Sequence, residues 1–145
     1  MVEVLSSSEG STNNICGYVK VNGTLILCGH GGLHIVRINA MNCFWIGNII
    51  QYSKINMQDL TTDLDLQPAL AVLVGVTIED AMGELTDPAL VALEKIGVYV
   101  RDVQWRGSFV FIVQKSTSNK LVKKVITAQQ SQKKPAFLRA KITGM

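Results

Sequence analysis

The stretch that most constrains the fold covers residues 76–115, where a short helix is predicted between two apolar segments. Asp87 and Pro88 are typical of a helix N-terminus, because Asp caps the first turn and Pro needs no N–H there. Gly97 is typical of the position just past a helix C-terminus. Between these signals, apolar residues recur at helical spacing over Ala89–Ile96. The pattern predicts a helix from Thr86 to Gly97.

The segments on either side of this helix predict central strands. Leu70–Val76 is apolar without alternation and too short for most helices, which favours a strand buried on both faces. Trp105–Val113 is rich in aromatic and β-branched residues. Asn22-Gly23 lies between two alternating runs, Tyr18–Val21 and Thr24–Leu27, and predicts a tight hairpin. Further strands are predicted at Leu33–Asn39 and Ile49–Ile55, with a turn or short strand at Asn42–Gly47 and a short helix over Asn56–Leu66. In the polar tail, Leu121–Thr127 and Phe137–Ile142 are candidates for the last elements, with no type assigned.

Together these elements predict a mixed α+β domain rich in antiparallel strands. The 145 residues, 48% hydrophobic and 17% charged, fit one globular domain spanning 1–145, with the weakest patterns at 1–14 and 116–134. No apolar run is long enough to cross a bilayer. The N-terminus has no signal-peptide pattern, so we expect a leader removed beforehand, another export route, or an intracellular protein.

Charge is uneven along the chain. The net charge is +3, but Asp102 is the last acidic residue, and nine Lys or Arg residues follow it. A basic third of this kind either forms a solvated face or attracts nucleic acid, anionic polysaccharide or acidic lipid. Because few aromatic residues accompany these cations, the sequence favours a solvated face and predicts no nucleic-acid partner.

The three cysteines, Cys16, Cys28 and Cys43, lack the paired spacing of a zinc site. His30 and His34 flank two glycines and lead into an alternating run, so no metal site is predicted. Cys16 and Cys28 bracket the predicted hairpin almost symmetrically. A cross-strand disulfide and buried free thiols both remain open.

No catalytic constellation is predicted. The cluster Gly29–Gly32 lacks the Lys and Ser/Thr of a phosphate loop, and a strand follows it instead of a helix. Glu79 and Asp80 are adjacent, so on an extended chain they face opposite ways and do not face each other across a glycosidic bond. We therefore expect neither enzymatic activity nor a cofactor.

A binding site fits four residues better. Glu79 and Asp80 can accept hydrogen bonds from hydroxyl groups, Arg106 can donate several, and Trp105 offers an aromatic face to the C–H surface of a sugar ring. Both pairs lie at the ends of predicted strands, where scaffolds present binding groups. The alternative is that Arg106 pairs with the carboxylates and Trp105 belongs to the core.

These residues also carry a resemblance to a known family. Trp105–Ile112 resembles the aromatic-Arg-Asp-Ser/Asn-Trp-Val-Phe segment of the interleukin-like EMT inducer and pancreatic-derived factor family. Glu79-Asp80 falls on that family's Asp-Asp pair, and Leu85–Gly97 is similar to its helix. Gly32–Asn39 resembles one of its strands, and Ile15-Cys16 falls on its Ile-Cys.

The resemblance implies a compact sandwich of two mainly antiparallel β-sheets flanked by two or three short helices. It implies a secreted protein, because members of the family act as cytokine-like factors. Related domains bind a GlcNAc-type sugar in a glycan-processing transferase and occur in hyaluronan-associated proteins. The resemblance thus favours a non-catalytic carbohydrate-binding domain with Glu79 or Asp80 and Arg106 on the ligand; a secreted cytokine-like signalling factor is the alternative. Since single sugar sites are weak, we also expect a homo-oligomer.

Several positions depart from the family pattern. Gly107 stands where the family has Asp, and Gly31 where it has Arg, which leaves His30 as the nearest donor and the fifth candidate binding residue. The family's Cys near the C-terminus is Met145 here, so the disulfide that the resemblance implies for Cys16 lacks its partner.

Overall fold

The structure, a computed structural model, describes residues 2–6, 17–28, 32–39, 49–53, 56–65, 71–78, 82, 85–103, 107–115, 122–130 and 136–141. Within these ranges the chain forms nine strands and two helices: β1 Val2–Leu5, β2 Tyr18–Val21, β3 Thr24–Cys28, β4 Gly32–Asn39, β5 Ile50–Tyr52, α1 Asp59–Asp65, β6 Ala71–Ile78, α2 Asp87–Lys95, β7 Ser108–Lys115, β8 Val122–Gln130 and β9 Phe137–Ala140.

The strands form two antiparallel sheets. One has four strands in the order β3-β2-β1-β9, and the other has five in the order β5-β4-β6-β7-β8. Every described strand pair is antiparallel. With α1 and α2 packed on the far side of the larger sheet, the fold is an α+β sandwich, as predicted. No helix among the described residues is long and apolar enough to cross a membrane.

The central strands of the five-stranded sheet, β6 and β7, are buried on both faces. All eight residues of β6 are buried, which confirms the prediction from its unbroken apolar sequence. Alternate side chains, such as Val74 and Leu73, point to opposite faces because side chains alternate along a strand. One face meets the smaller sheet through Val2, Val4, Val19, Val21, Val36, Ile38, Val72, Val74, Val76, Ile78, Val110, Ile112 and Leu138. The other meets the helices through Leu33, Ile35, Tyr52, Met57, Leu60, Leu64, Leu73, Ala89, Ala92, Leu93, Phe109, Phe111 and Val113.

The hairpin between β2 and β3 has the predicted turn. Asn22 has φ 51° and Gly23 has φ 80°, the positive values that a type I′ turn needs at both central positions. Strand β3 continues to Cys28, one residue further than predicted.

Helix α2 begins slightly differently from the prediction. Its N-cap is Thr86 and not Asp87: the Thr86 hydroxyl accepts a hydrogen bond from the Ala89 backbone N–H at 3.4 Å. Asp87 is then the first helical residue, where a negative charge favours the helix dipole. Gly97 follows the last turn with φ 90°, as predicted for a helix stop.

Strand β5 is shorter than the predicted Ile49–Ile55 strand, because a turn interrupts it. The Asn56 side chain accepts a hydrogen bond from the Ser53 backbone N–H and donates one to the Gln51 carbonyl, both at 2.8 Å. Such side-chain bonds to nearby backbone compete with strand pairing. The predicted helix over Asn56–Leu66 is confirmed as α1, which is preceded by this turn.

Strand β1 was not predicted, although it occupies the interior of the smaller sheet. It pairs with β2 on one side and with β9 on the other. Just beyond it, the Ser6 hydroxyl accepts from the Ala136 N–H at 2.7 Å, and the Ser6 N–H donates to the Ala136 carbonyl at 3.0 Å. These bonds continue the contact between β1 and β9 past the paired residues.

Candidate ligand-binding end of the central sheet

The five candidate binding residues, His30, Glu79, Asp80, Trp105 and Arg106, all lie outside the described residues. So do Cys16 and the turn predicted at Asn42–Gly47. The structure does describe the strand residues that neighbour the candidate residues in the sequence. The positions of these strand residues show where each candidate segment leaves the sheet.

Those strand residues lie at one end of the five-stranded sheet. Gly32, two residues after His30, is paired with Ile78, which directly precedes Glu79. Strand β7 starts at Ser108, two residues after Arg106, and runs antiparallel to β6 with Val110 opposite Val76. The starts of β4 and β7 and the end of β6 therefore coincide; we call this the Ile78 end, defined by Gly32, Ile78 and Ser108.

At the Ile78 end, a side chain replaces direct pairing between β6 and β7. The backbone register of these strands runs as far as Val76 opposite Val110. Next to it, the Thr77 hydroxyl accepts from the Phe109 N–H at 3.0 Å and donates to the Phe109 carbonyl at 3.1 Å. Thr77 is fully buried, and both hydrogen-bonding functions of its hydroxyl are used. Strands β6 and β7 are thus hydrogen-bonded to each other almost up to the positions where the candidate segments begin.

Two stacked phenylalanines support β7 from the helix side. The rings of Phe109 and Phe111 lie 6.3 Å apart with an interplanar angle of 15°, and both side chains are fully buried. Phe111 lies across Gly75, where a side chain on β6 would occupy the space of the ring. Phe109 belongs to the core and offers no free face to a ligand.

His34 is the described member of the histidine pair considered for metal binding. It is buried on β4, opposite Val76, and its position in the strand confirms the strand predicted after the glycine cluster. Among the described residues no group of three or more His, Cys, Asp or Glu side chains is placed to hold a metal ion.

A polar contact that the sequence analysis did not predict fixes α1 to the sheet. The Tyr52 hydroxyl donates a hydrogen bond to Asp63 Oδ2 at 2.5 Å. Burial of the phenol, followed by this hydrogen bond, raises the pKa of Tyr52 above its ordinary value. Nearby, the buried Lys115 Nζ donates to the Leu64 carbonyl at 3.3 Å, near the C-terminus of α1 where a cation is favoured.

The basic third of the chain is only partly a solvated face. Lys115 is buried against α1. Arg139 pairs with Glu3 across β9 and β1 at 3.2 Å, and Lys141 is exposed. Earlier in the chain, Arg101 binds the carboxylates of Asp87 at 2.8 Å and Glu94 at 2.6 Å and holds the segment after α2 against that helix.

No protein-family model matches this sequence, and no curated protein matches it either.

Proposed function

We propose that this chain is a non-catalytic, metal-independent carbohydrate-binding domain that recognises GlcNAc-type or related glycans outside the cell. The site would use Glu79, Asp80, Trp105 and Arg106, with His30 as a further donor. The observation that carries the proposal is the shared Ile78 end of strands β4, β6 and β7.

The register supports a single site because three separate sequence segments connect to neighbouring strands at that end. Gly32 and Ile78 are directly paired, and Ser108 begins the strand on the other side of β6. Neighbouring strands in a sheet are about 4.8 Å apart. The three described strand ends therefore span about two strand spacings, a width that supports the proposal of a single small-ligand site beyond them.

The rigidity of this end also supports a binding role. The double hydrogen bond between Thr77 and Phe109 and the buried stack of Phe109 on Phe111 hold the strands in place. Binding groups work best when a fixed scaffold presents them, because little conformational entropy is then lost on binding.

The residue types match the chemistry of a sugar. Carboxylates of Glu79 and Asp80 accept hydrogen bonds from hydroxyl groups, and the guanidinium of Arg106 donates to ring and acetamido oxygens. The Trp105 ring covers the apolar face of the pyranose. None of these interactions needs a metal ion or a covalent step.

A glycan array tests the proposal directly. The native chain should bind GlcNAc-containing glycans, and free GlcNAc should compete. Arg106→Ala and Asp80→Ala should each weaken binding by about tenfold or more, since each removes a charge-assisted hydrogen bond. Trp105→Phe should retain more binding than Trp105→Ala.

Matched controls come from exposed residues elsewhere. Arg139→Ala and Asp102→Ala remove the same charges from β9 and from the turn after α2, and should leave glycan binding unchanged. An array without signal, or equal signal from the site variants and the controls, would show that the proposed site is wrong. Turnover of a labelled oligosaccharide would instead identify an enzyme.

A further inference from the structure

Strand β8 forms an edge of the five-stranded sheet. It has nine residues and pairs with β7 along one side. No described strand pairs with its other side. The free side of an edge strand carries unpaired N–H and C=O groups that can pair with another chain unless charge, a bulge or a covering segment prevents it.

Within the described part of the chain, the features that would protect this edge lie at the start of β8. Lys123 and Lys124 lie there, and the irregularity in its pairing with β7 falls between Gln114 and Lys115, at the same end. The remaining stretch, Val125–Gln130, has no charge and contains three β-branched residues. Alternate residues in it are exposed, among them Thr127 and Gln129.

Exposed apolar side chains lie next to this edge. Five large hydrophobic side chains are exposed in the described part of the chain; one of them, Val125, is on β8, and a second, Tyr99, belongs to a residue hydrogen-bonded to β8. Tyr99 is 66% exposed, and its carbonyl accepts a hydrogen bond from Gln129 Nε2 at 2.7 Å. Val125 is 36% exposed and lies on β8 itself. An exposed aromatic side chain beside an edge strand is typical of a protein interface.

We propose that β8 pairs in antiparallel with β8 of a second copy of this chain, about a two-fold axis through Ile126. The two five-stranded sheets then form one continuous ten-stranded sheet. Residues directly opposite each other in an antiparallel pair have their side chains on the same face of the sheet. A two-fold axis between two identical strands must therefore place one residue opposite the same residue of the second copy. Ile126 is the middle residue of Val122–Gln130, and the stretch from Lys124 to Ala128 on either side of it is clear of the irregularity.

The register is free of like-charge contacts. Val125 lies opposite Thr127 of the second copy, and Lys124 lies opposite Ala128. Lys123 falls opposite Gln129, so no lysine faces another lysine. The central pair joins two isoleucines, and β-branched cross-strand pairs are favourable. The same edge supplies both halves of the contact, which favours a second copy over an unrelated partner.

The dimer has a consequence that depends on the proposed function. Gln130 is paired with Ser108, so the Gln130 end of β8 belongs to the Ile78 end of the sheet. Antiparallel pairing of two β8 strands points the two Ile78 ends in opposite directions. Two glycan sites arranged in this way link separate ligands instead of binding one ligand twice.

Light scattering after size-exclusion chromatography of the full chain tests the proposal. The native chain should show twice its 15.8 kDa mass. The double variant Val125→Glu/Thr127→Glu places carboxylates opposite carboxylates and should halve that mass, and Val125→Lys/Thr127→Lys should do the same. An equimolar mixture of the two variants should restore the doubled mass, because opposite charges then face each other. Val91→Glu, on the exposed face of α2, should remain a dimer.

A monomeric native chain, a dimeric Glu variant or a mixture that stays monomeric would overturn the proposal. Circular dichroism verifies that the variants fold. Hydrogen exchange provides a measurement without variants: backbone amides of β8 in the native chain should exchange more slowly as protein concentration rises, and exchange that does not depend on concentration would also overturn the proposal. If no glycan binds while the mass is doubled, the proposed function fails and the dimer stands. A monomeric variant that binds glycans without agglutinating cells supports both.

Discussion

Gly75 allows the packing of the central sheet to be tested with one methyl group. The glycine lies on β6 directly opposite Phe111 on β7. A Cβ at this position would lie 2.1 Å from Cε1, 2.2 Å from Cζ and 2.7 Å from Cδ1 of the Phe111 ring. Ordinary contacts are longer than the first of these by more than an ångström. The ring is fully buried and stacks on Phe109, so moving it aside would disturb the packing of the core.

We therefore expect Gly75→Ala to destabilise the protein. Overpacking of a closed core costs about 1–3 kcal/mol, partly offset by roughly 0.5–1 kcal/mol because Ala is favoured over Gly in the interior of a strand. The net loss should be about 1–2 kcal/mol. For a chain of this size that loss corresponds to a fall in Tm of roughly 2–8 °C. Urea unfolding and thermal unfolding both measure it.

A double-mutant cycle identifies the cause. Phe111→Leu alone should also destabilise the protein, because it removes buried packing. In Gly75→Ala/Phe111→Leu the new methyl group has space, so the combined loss should be smaller than the sum by about 1 kcal/mol or more. Gly23→Ala is the control: it has φ +80° but no neighbour within 4 Å, so its loss should add to that of Phe111→Leu. The steric explanation would be refuted if the losses in stability of Gly75→Ala and Phe111→Leu were strictly additive, or if Gly75→Ala left the stability unchanged.

Three further changes test other contacts. Tyr52→Phe removes the hydrogen bond to Asp63 and should cost about 1–2 kcal/mol in chemical unfolding at neutral pH. The pKa of Tyr52 is raised in the folded state, so the protonated phenol stabilises the fold fully at pH values below the ordinary pKa of 10.0. This stabilisation is lost as the pH rises above 10.0, so the free energy of unfolding of the native chain should fall in that alkaline range. The Tyr52→Phe variant should lack this part of the fall. Thr86→Ala should cost about 1 kcal/mol by removing the α2 cap, and Thr86→Ser should not, as measured by thermal unfolding. Gly97→Ala combines φ +90° with a Cβ contact of 2.9 Å to Val125, so Val125→Ala should recover only the steric part of its loss in urea unfolding.

The elements predicted well from the sequence are those whose signals are local. The hairpin at Asn22-Gly23 requires positive φ at both residues, and β6 shows its burial through unbroken apolar sequence. The cap of α2 was misplaced by one residue because Thr86 and Asp87 are both good caps, and only the bond to Ala89 distinguishes them.

Contacts between distant residues could not be predicted in the same way. Strand β1 has only four residues, and its alternation of Val2 and Val4 with Glu3 becomes a clear signal only once β2 and β9 are placed beside it. The Thr77–Phe109 link joins a side chain to backbone 32 residues away, and no spacing rule indicates it. For the candidate site, the sequence predicted which segments should meet, and the strand register brings their described neighbours to one end of the sheet. The binding groups themselves remain a prediction.

The pairing of β1 with β9 has a consequence for synthesis on the ribosome. Residues 2–5 leave the ribosome long before Phe137–Ala140, which is one of the two strands that flank them. Until it arrives, β1 has one open side, and the smaller sheet cannot cover the apolar face of β6 and β7 completely. Closing a loop of this length is slow, and exposed apolar surface favours aggregation while it lasts. A nascent chain that stalls before residue 137 should therefore be a substrate for chaperones, whereas a chain in which β9 has emerged and paired should not.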